Sequence, residues 1–404
     1  MKFHIKSFAT VILLIAATTA FSQSTTLPAD KKLQEQFKQN FKDAAAQYKT
    51  LMRNLPDGKF PKTYFPEEAR YEFSNSSWWC SGFYPGSLLL MYEQTKDAVL
   101  NKEAGRILET LRKEQYNKGT HDLGFMMYCS FGNANRLKPS DDYKQVLWNS
   151  AKSLATRFNP NVGCIRSWNS KPGDFIVIID NMMNLKLLFW ATQVSGDSSF
   201  YKIAVTHANT TMKNHFRPDY SSYHVLNYDS ATGNVKQKRT AQGYADSSAW
   251  ARGQAWGLYG YTETYRETKD TNYLNQANKI AQYLLSHPNM PANKIPYWDF
   301  DAPKTPTTPR DASAASIMAS ALLELSGYVP DSIGKQYVTA AETMLRNLTA
   351  PEYRATDGQN GGFLIRHGVG HLPAGTEIDV PLTYGDYYFL EAMKRYLQMK
   401  APKK

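Results

Sequence analysis

Two aspartates stand where a carboxyl group could do acid–base chemistry. Asp122 follows His121 in the segment HDLGF, and Asp180 precedes Asn181 in IDNMMN, at the end of the β-branched run 175–179. Two carboxyl groups confined in one cleft shift each other's proton affinity, so one can stay protonated near neutral pH and act as an acid. Breaking a sugar bond requires such a pair. The competing reading of each aspartate is a helix N-cap, because an apolar helical run follows both. Taken singly, either reads as a cap first; His121 and Asn181 beside them tip the pair toward chemistry.

A second set of residues lies at 246–261, DSSAWARGQAWGLYGY, where Trp250, Arg252 and Trp256 fall within seven residues. Tryptophan faces cover sugar rings, and a guanidinium fork pairs with a carboxylate at two points. Both at one helix entrance suit an acidic sugar. The alternative is a Trp-rich packing seam with an ordinary surface arginine.

Other chemistries find no support. No GxSxG nucleophile elbow, HExxH zinc helix or phosphate-cradling glycine loop is present. His367 and His371 are four apart in the Gly-rich stretch 361–375, which reads as a substrate-facing loop and not as a metal site; no metal and no cofactor is implied. The net charge of +11 is spread over dispersed Lys and Arg with no nucleic-acid motif, so an acidic small substrate and a generic solvated surface both remain open. Cys80, Cys129 and Cys164 form no CxxC pair; buried thiols are the default over a disulfide scaffold.

These residues must be positioned by helices. Leu33, Phe37, Phe41, Ala45, Tyr48 and Leu51 recur every three or four residues, with Asp30 as N-cap and Pro56 as stop. Helical hairpins then recur at an irregular spacing: 83–92 with a turn at 95–97 and a second helix from about Leu100, 185–194 with 200–212, 257–266 with 273–285, 313–325 with 337–348, and a last helix over 384–399. Strand signals are weak beyond 175–179. The pattern predicts an all-α fold, an (α/α)6 toroid or barrel of helical hairpins in a single catalytic domain over residues 23–404; an open α-solenoid is the other option. Loops at 78–86, 121–125, 179–181, 250–256 and 384–386 each precede an inner helix, so a toroid would gather them on one face.

Residues 1–22 read as a signal peptide: Lys2 and Lys6, an apolar run, then Ala20-Phe-Ser22. No other stretch is long and apolar enough to span a bilayer. An exported protein is expected, with the periplasm as its compartment.

On the anchors WCSGFYPG, HDLGF, IDNMMN, TAQGYADSSAWARGQAWGLYGY and DVPLTYGDYYFLEA, in that order, the chain resembles the unsaturated glucuronyl hydrolases, glycoside hydrolase family 88. The resemblance covers nearly all of residues 23–404, and its central block is highly specific. It implies a substrate that is an unsaturated uronyl di- or oligosaccharide left by a polysaccharide lyase, with a double bond conjugated to the uronic carboxylate. It assigns to Asp180 the protonation of C4 and help to a water that attacks C5, after which the hemiketal opens and the glycosidic bond falls apart. Asp122 would orient the sugar and tune Asp180, His224 would stand near the reacting centre, and Gln242 would touch substrate. Arg252 would pair with the sugar carboxylate, and Trp250 and Trp256 would form aromatic walls, with Trp79, Trp168 and His121 completing the pocket. Ser81 and Pro85 depart from the commoner family pattern, which bears on the neighbouring subsite. Arg366, His367 and His371 are candidate contacts for a sulfate on the second sugar. Related readings are an unsaturated rhamnogalacturonyl hydrolase acting on pectin fragments and, in another class, a non-catalytic glycan-binding helical protein.

Overall fold

The computed structural model describes residues 30–400; the signal-peptide expectation for residues 1–22 lies outside them. Helix α1 (Lys31–Asn54) starts where Asp30 accepts the Leu33 backbone N–H, and its buried stripe includes Leu33, Phe37, Phe41, Tyr48 and Leu51. A hairpin of β1 (Phe60–Phe65) and β2 (Arg70–Ser74) leads into α2 (Phe83–Thr95), and α3 (Ala98–Leu111) follows a two-residue turn. Then come a π-helical stretch, Gly124–Gly132, continued by α4 (Asn133–Leu137), and α5 (Asp141–Ala155). Strands β3 (Phe158–Asn159), β4 (Cys164–Ile165) and β5 (Asp174–Ile178) precede a 3-10 turn, Ile179–Asn184, that runs into α6 (Leu185–Ser195). Helix α7 (Ser198–His215), β6 (Val225–Asp229), β7 (Val235–Arg239) and α8 (Ala251–Thr268) come next. The chain ends with α9 (Thr271–Ser286), α10 (Ala312–Leu325), α11 (Asp331–Leu348), β8 (Gly368–His371), β9 (Thr376–Val380) and α12 (Thr383–Lys400).

Inner and outer helices alternate along the chain. Helix α2, the Gly124–Gly132 stretch, α6, α8, α10 and α12 each touch the next, and α12 returns to α2, so the inner ring closes. Helices α1, α3, α5, α7, α9 and α11 pack outside it. That is the α/α barrel, and closure excludes the open solenoid. The inner helices are buried on nearly all sides, as α10 is from Ala312 to Leu325, whereas outer helices bury one stripe. The helical expectations are met with ends shifted by a few residues; α8 begins at Ala251, six residues before the expected start.

The two ends of the barrel are built differently. Inner-to-outer connections are tight, using left-handed residues such as Lys96, Gly196 and Lys269, followed by the caps Asp97, Asp197 and Asp270. Every strand lies in an outer-to-inner connection, in small antiparallel sheets β1–β2, β3–β4, β5–β6–β7 and β8–β9. The candidate loops therefore share the strand-bearing end.

Small residues let the inner elements approach. At Gly124 a Cβ would sit 2.5 Å from the Asn184 Cα, and at Gly260 it would overlap the Met182 side chain. The Asn184 Oδ1 accepts the Phe125 backbone N–H at 2.9 Å, which joins the HDLGF turn to the IDNMMN turn. Gly260→Ala is expected to destabilise the fold by about 1–3 kcal/mol through overpacking, read as a lowered denaturant midpoint; an unchanged midpoint would show that the Ile179–Asn184 turn has room to move. Cys80, Cys129 and Cys164 are free thiols. Among the described residues no helix is long and apolar enough to cross a membrane.

Candidate active site

Five aspartates elsewhere among the described residues are side-chain caps: Asp30, Asp97, Asp197, Asp270 and Asp311 each accept a helix N–H. Asp122 and Asp180 do not. The Gly124–Gly132 and Ile179–Asn184 elements carry no side-chain cap hydrogen bond. The side chains of Asp122 and Asp180 are 13% exposed, so both carboxyls are held near the surface of the interior without the use that capping would give them.

Asp122 Oδ2 accepts the Thr120 hydroxyl at 2.9 Å, and Oδ1 lies 3.3 Å from His121 Nε2. His121 Nδ1 is 2.9 Å from the Ser167 carbonyl. A carbonyl only accepts, so Nδ1 carries the proton and donates. Burial lowers the His121 pKa, against the pull of Asp122, which keeps the ring neutral and leaves Nε2 a lone-pair acceptor. Two acceptors thus face each other across 3.3 Å with no proton between them, a geometry that calls for a donor to each.

Asp180 sits opposite His224, whose Nε2 is 3.8 Å from its Oδ2. His224 Nδ1 accepts the backbone N–H groups of Ala241 and Gln242 at 3.1 and 3.2 Å. Nε2 therefore carries the proton and points it toward Asp180. Burial, and then the Arg252 charge, hold the His224 pKa well below its usual value, so it is a neutral donor. Burial pushes the Asp180 carboxyl up to about 7; Asp122 adds a smaller push, while Arg252 and its own backbone N–H pull it down. A carboxyl poised there is near half-protonated at neutral pH, the condition for an acid that must also act as a base.

This sets a pH dependence. Chemistry that needs protonated Asp180 falls as pH rises through its pKa, so kcat/KM is expected to drop about tenfold per pH unit above roughly 7. Asp122→Asn removes a raising charge and should move the limb of the residual activity to lower pH. A wild-type profile flat to about pH 9 would exclude Asp180 as the proton source.

The aromatic residues divide differently from the sequence expectation. Trp250 and Trp256 are buried, 2% and 0% exposed, deeper than walls open to solvent would be. Trp250 lies against His224, centroids 4.5 Å apart, and Trp256 is wedged between Phe125 and Tyr388. Their places at the start of α8, where it meets the π-helical stretch and the Ile179–Asn184 turn, put them behind the site. Trp79 and Trp168 are half-buried. Trp79 is braced by Phe125 and Tyr384, and Trp168 stands edge-on to His224.

Arg252 also departs from expectation. It is 1% exposed; its Nη1 bonds Asp311 Oδ2 at 3.2 Å and the Val369 carbonyl, and its Nη2 bonds the Gly370 carbonyl at 2.7 Å and Gln242 Oε1 at 3.4 Å. Its centre lies 4.5 Å from the Trp250 ring and 5.2 Å from the Tyr384 ring. The fork expected to face a sugar carboxylate is engaged by the protein's own acceptors; its Nε lacks one. Gln242 is half-buried beside it. In the loop before α12, His371 Nε2 donates to the Ala241 carbonyl at 2.9 Å, His367 pairs with Asp379 at 2.6 Å, and Arg366 bonds Gln359. Arg366 and His367 line one cavity with Gln359 and Asp379, and His371 is not part of that lining.

Residues not singled out from sequence hold the rest in place. Ser167 accepts from His121 at its carbonyl and from the Ile178 N–H at its hydroxyl, 3.0 Å, linking both aspartate turns. Asp311 both caps α10 and pairs with Arg252. Asp386, in a loop counted as a candidate, is fully buried and accepts the Leu364 and Ile365 N–H groups and the Tyr48 hydroxyl, a structural role. An isolated Ser or Asp in a polar loop carries no spacing signal; only Asp311, one residue before an apolar run, had one, as a cap.

With this geometry in hand, comparison places the chain among known proteins. The Glycosyl Hydrolase Family 88 model matches residues 44–396. An unsaturated glucuronyl hydrolase of Formosa agariphila is 49% identical over 320 residues, 78% of this chain and 79% of the relative. An unsaturated chondroitin disaccharide hydrolase of Streptococcus pneumoniae is 33% identical over 336 residues, 81% of this chain and 83% of the relative. A crystal structure of an unsaturated glucuronyl hydrolase specific for heparin superposes with a TM-score of 0.88 at 47% identity, covering 91% of this chain and 98% of that one.

Proposed function

The chain belongs to glycosyl hydrolase family 88, and from that premise we propose that it removes the 4,5-unsaturated uronic acid from the non-reducing end of lyase-generated glycosaminoglycan oligosaccharides. It is a glycoside hydrolase. The observation that carries the catalytic assignment is Asp180: a nearly buried carboxyl, not used as a cap, with its proton held up to about 7.

In the proposed reaction Asp180 gives its proton to C4 of the ring double bond, and positive charge develops at C5 and the ring oxygen. A water adds at C5 and returns its proton to the Asp180 carboxylate, which restores the acid. The C5 hemiketal opens, leaving a ketone at C5 and a hemiacetal at C1, which expels the second sugar as an alcohol. No bond is made to C1 by a nucleophile, so the separation of carboxylates does not set stereochemistry as in other glycosidases. Asp122 and His121 Nε2 would each accept from a ring hydroxyl, and His224 Nε2–H would steady the charge that Asp180 develops. Trp79 and Trp168 are the aromatic faces available to the sugar.

The names of the relatives support the glycosaminoglycan class, and heparin and chondroitin fragments are the first substrates to try. The proposal treats residues 23–404 as one catalytic domain and, on the signal-like residues 1–22, places the protein in the periplasm.

Absorbance of the conjugated enol-ether carboxylate provides the test. Its decay on unsaturated chondroitin or heparin disaccharides supports the proposal. No decay there, but decay on unsaturated rhamnogalacturonyl fragments, would replace the substrate class. No decay on either, with binding retained, would replace the enzyme with a glycan-binding protein.

A further inference from the structure

Away from the two aspartates, the segment joining α5 to β5 forms one side of a surface cavity of about 470 Å³, lined by Lys118, Arg157, Asn159, Arg166, Asn169 and Phe175 among others, with no carboxylate in its lining. Arg157 is 9% exposed and donates only to neutral acceptors. Its Nε bonds the Arg166 carbonyl at 2.8 Å, Nη1 the Lys118 carbonyl at 2.7 Å, and Nη2 the Ser167 carbonyl at 3.1 Å and Asn169 Oδ1 at 3.4 Å. Arg166 lies over the Phe175 ring at 4.7 Å. Among the described residues neither guanidinium has a carboxylate within ion-pair distance, although most arginines of this chain do, Arg106, Arg112 and Arg266 among them. Burial and the Arg166 charge hold the Arg157 pKa below the usual arginine range; Asp122, further off, is the carboxylate it senses.

Two adjacent guanidinium groups and the exposed Lys118 ammonium leave uncompensated positive charge at a concave site, one of them nearly out of water. Such a charge is costly without a counter-ion, and a planar fork next to an ammonium matches a tetrahedral oxyanion. We propose that this cavity is a sulfate-binding site, separate from the catalytic centre, that takes a sulfate group of a sulfated glycan. Arg166, whose fork is free of protein acceptors, makes the two-point contact, Lys118 adds charge from the rim, and Arg157 supplies the field from below. Because Arg157 also pins the Lys118, Arg166 and Ser167 carbonyls, an anion here bears on both strands of chain that lead to His121 and Trp168. The inference does not depend on the catalytic reading.

The test measures binding of a saturated sulfated disaccharide, which lacks the ring double bond and so cannot turn over, by calorimetry, with inorganic sulfate at the same millimolar concentration in a second arm. Arg166→Ala and Lys118→Ala variants are compared with wild type, and an unchanged denaturant midpoint certifies their fold. Arg166→Ala is expected to weaken the sulfated glycan about tenfold or more, as loss of a charged two-point contact does, and Lys118→Ala to weaken it less. Affinity for the glycan that is equal in wild type and Arg166→Ala overturns the proposal. A response to inorganic sulfate alone overturns the glycan as its occupant.

Discussion

Asp180→Asn is expected to lower kcat by about a thousandfold or more, with affinity for the unsaturated disaccharide nearly unchanged. The substitution keeps shape and removes only the proton. Nothing else near C4 can replace it: His224 is held neutral with its Nδ1 occupied by two backbone donors, and His121 presents a lone pair. Asp122 has its Oδ2 on the Thr120 hydroxyl and its Oδ1 toward His121. The split between kcat and affinity is the informative part. Loss of both together would mean that Asp180 holds the site's shape, and retained kcat would move the acid to Asp122. Initial rates from loss of the enol-ether absorbance, paired with calorimetric binding to the inactive variant, separate the three.

How much of this is legible in the sequence depends on length scale. Helices of eleven to twenty-four residues declare themselves through periodic apolar positions, and Asp30 marked the start of the first as its cap. Eight of the nine strands among the described residues were not anticipated, because segments of two to six residues with mixed exposure, such as Phe158–Asn159 or Val235–Arg239, show no sustained alternation. The π-helical stretch Gly124–Gly132 is almost wholly apolar on every side, so no face could be read from it. The aspartate pair could be found because two turns ending in Asp each lead into an inner helix. The depth of Trp250, Trp256 and Arg252 was not legible for a physical reason: residue type announces what a side chain can contact, while burial depends on the whole ring of helices, and only the folded ring shows that α8 turns these three inward.

That inward turn gives Arg252 its large expected effect on stability. Arg252→Met would strand Asp311 Oδ2 and the Val369 and Gly370 carbonyls in a buried place, and breaking a buried ion pair from one side costs about 3–5 kcal/mol. Arg252→Lys should fare little better. A single ammonium cannot span Asp311, two successive carbonyls of β8 and Gln242, all of which the guanidinium reaches at once. The electrostatic consequence runs the same way for Met: Arg252 lowers the Asp180 pKa, so its removal should push the alkaline limb of kcat/KM to higher pH in whatever fraction folds, opposite in sign to Asp122→Asn. Denaturant midpoints and pH profiles measure the two effects separately. A clamp on the substrate's carboxylate would behave otherwise: Arg252→Lys would keep wild-type stability and pH limb and raise KM alone. A large fall in midpoint with an alkaline shift in Arg252→Met identifies the residue as the bolt between α8, α10 and β8 that also sets the acid strength of Asp180.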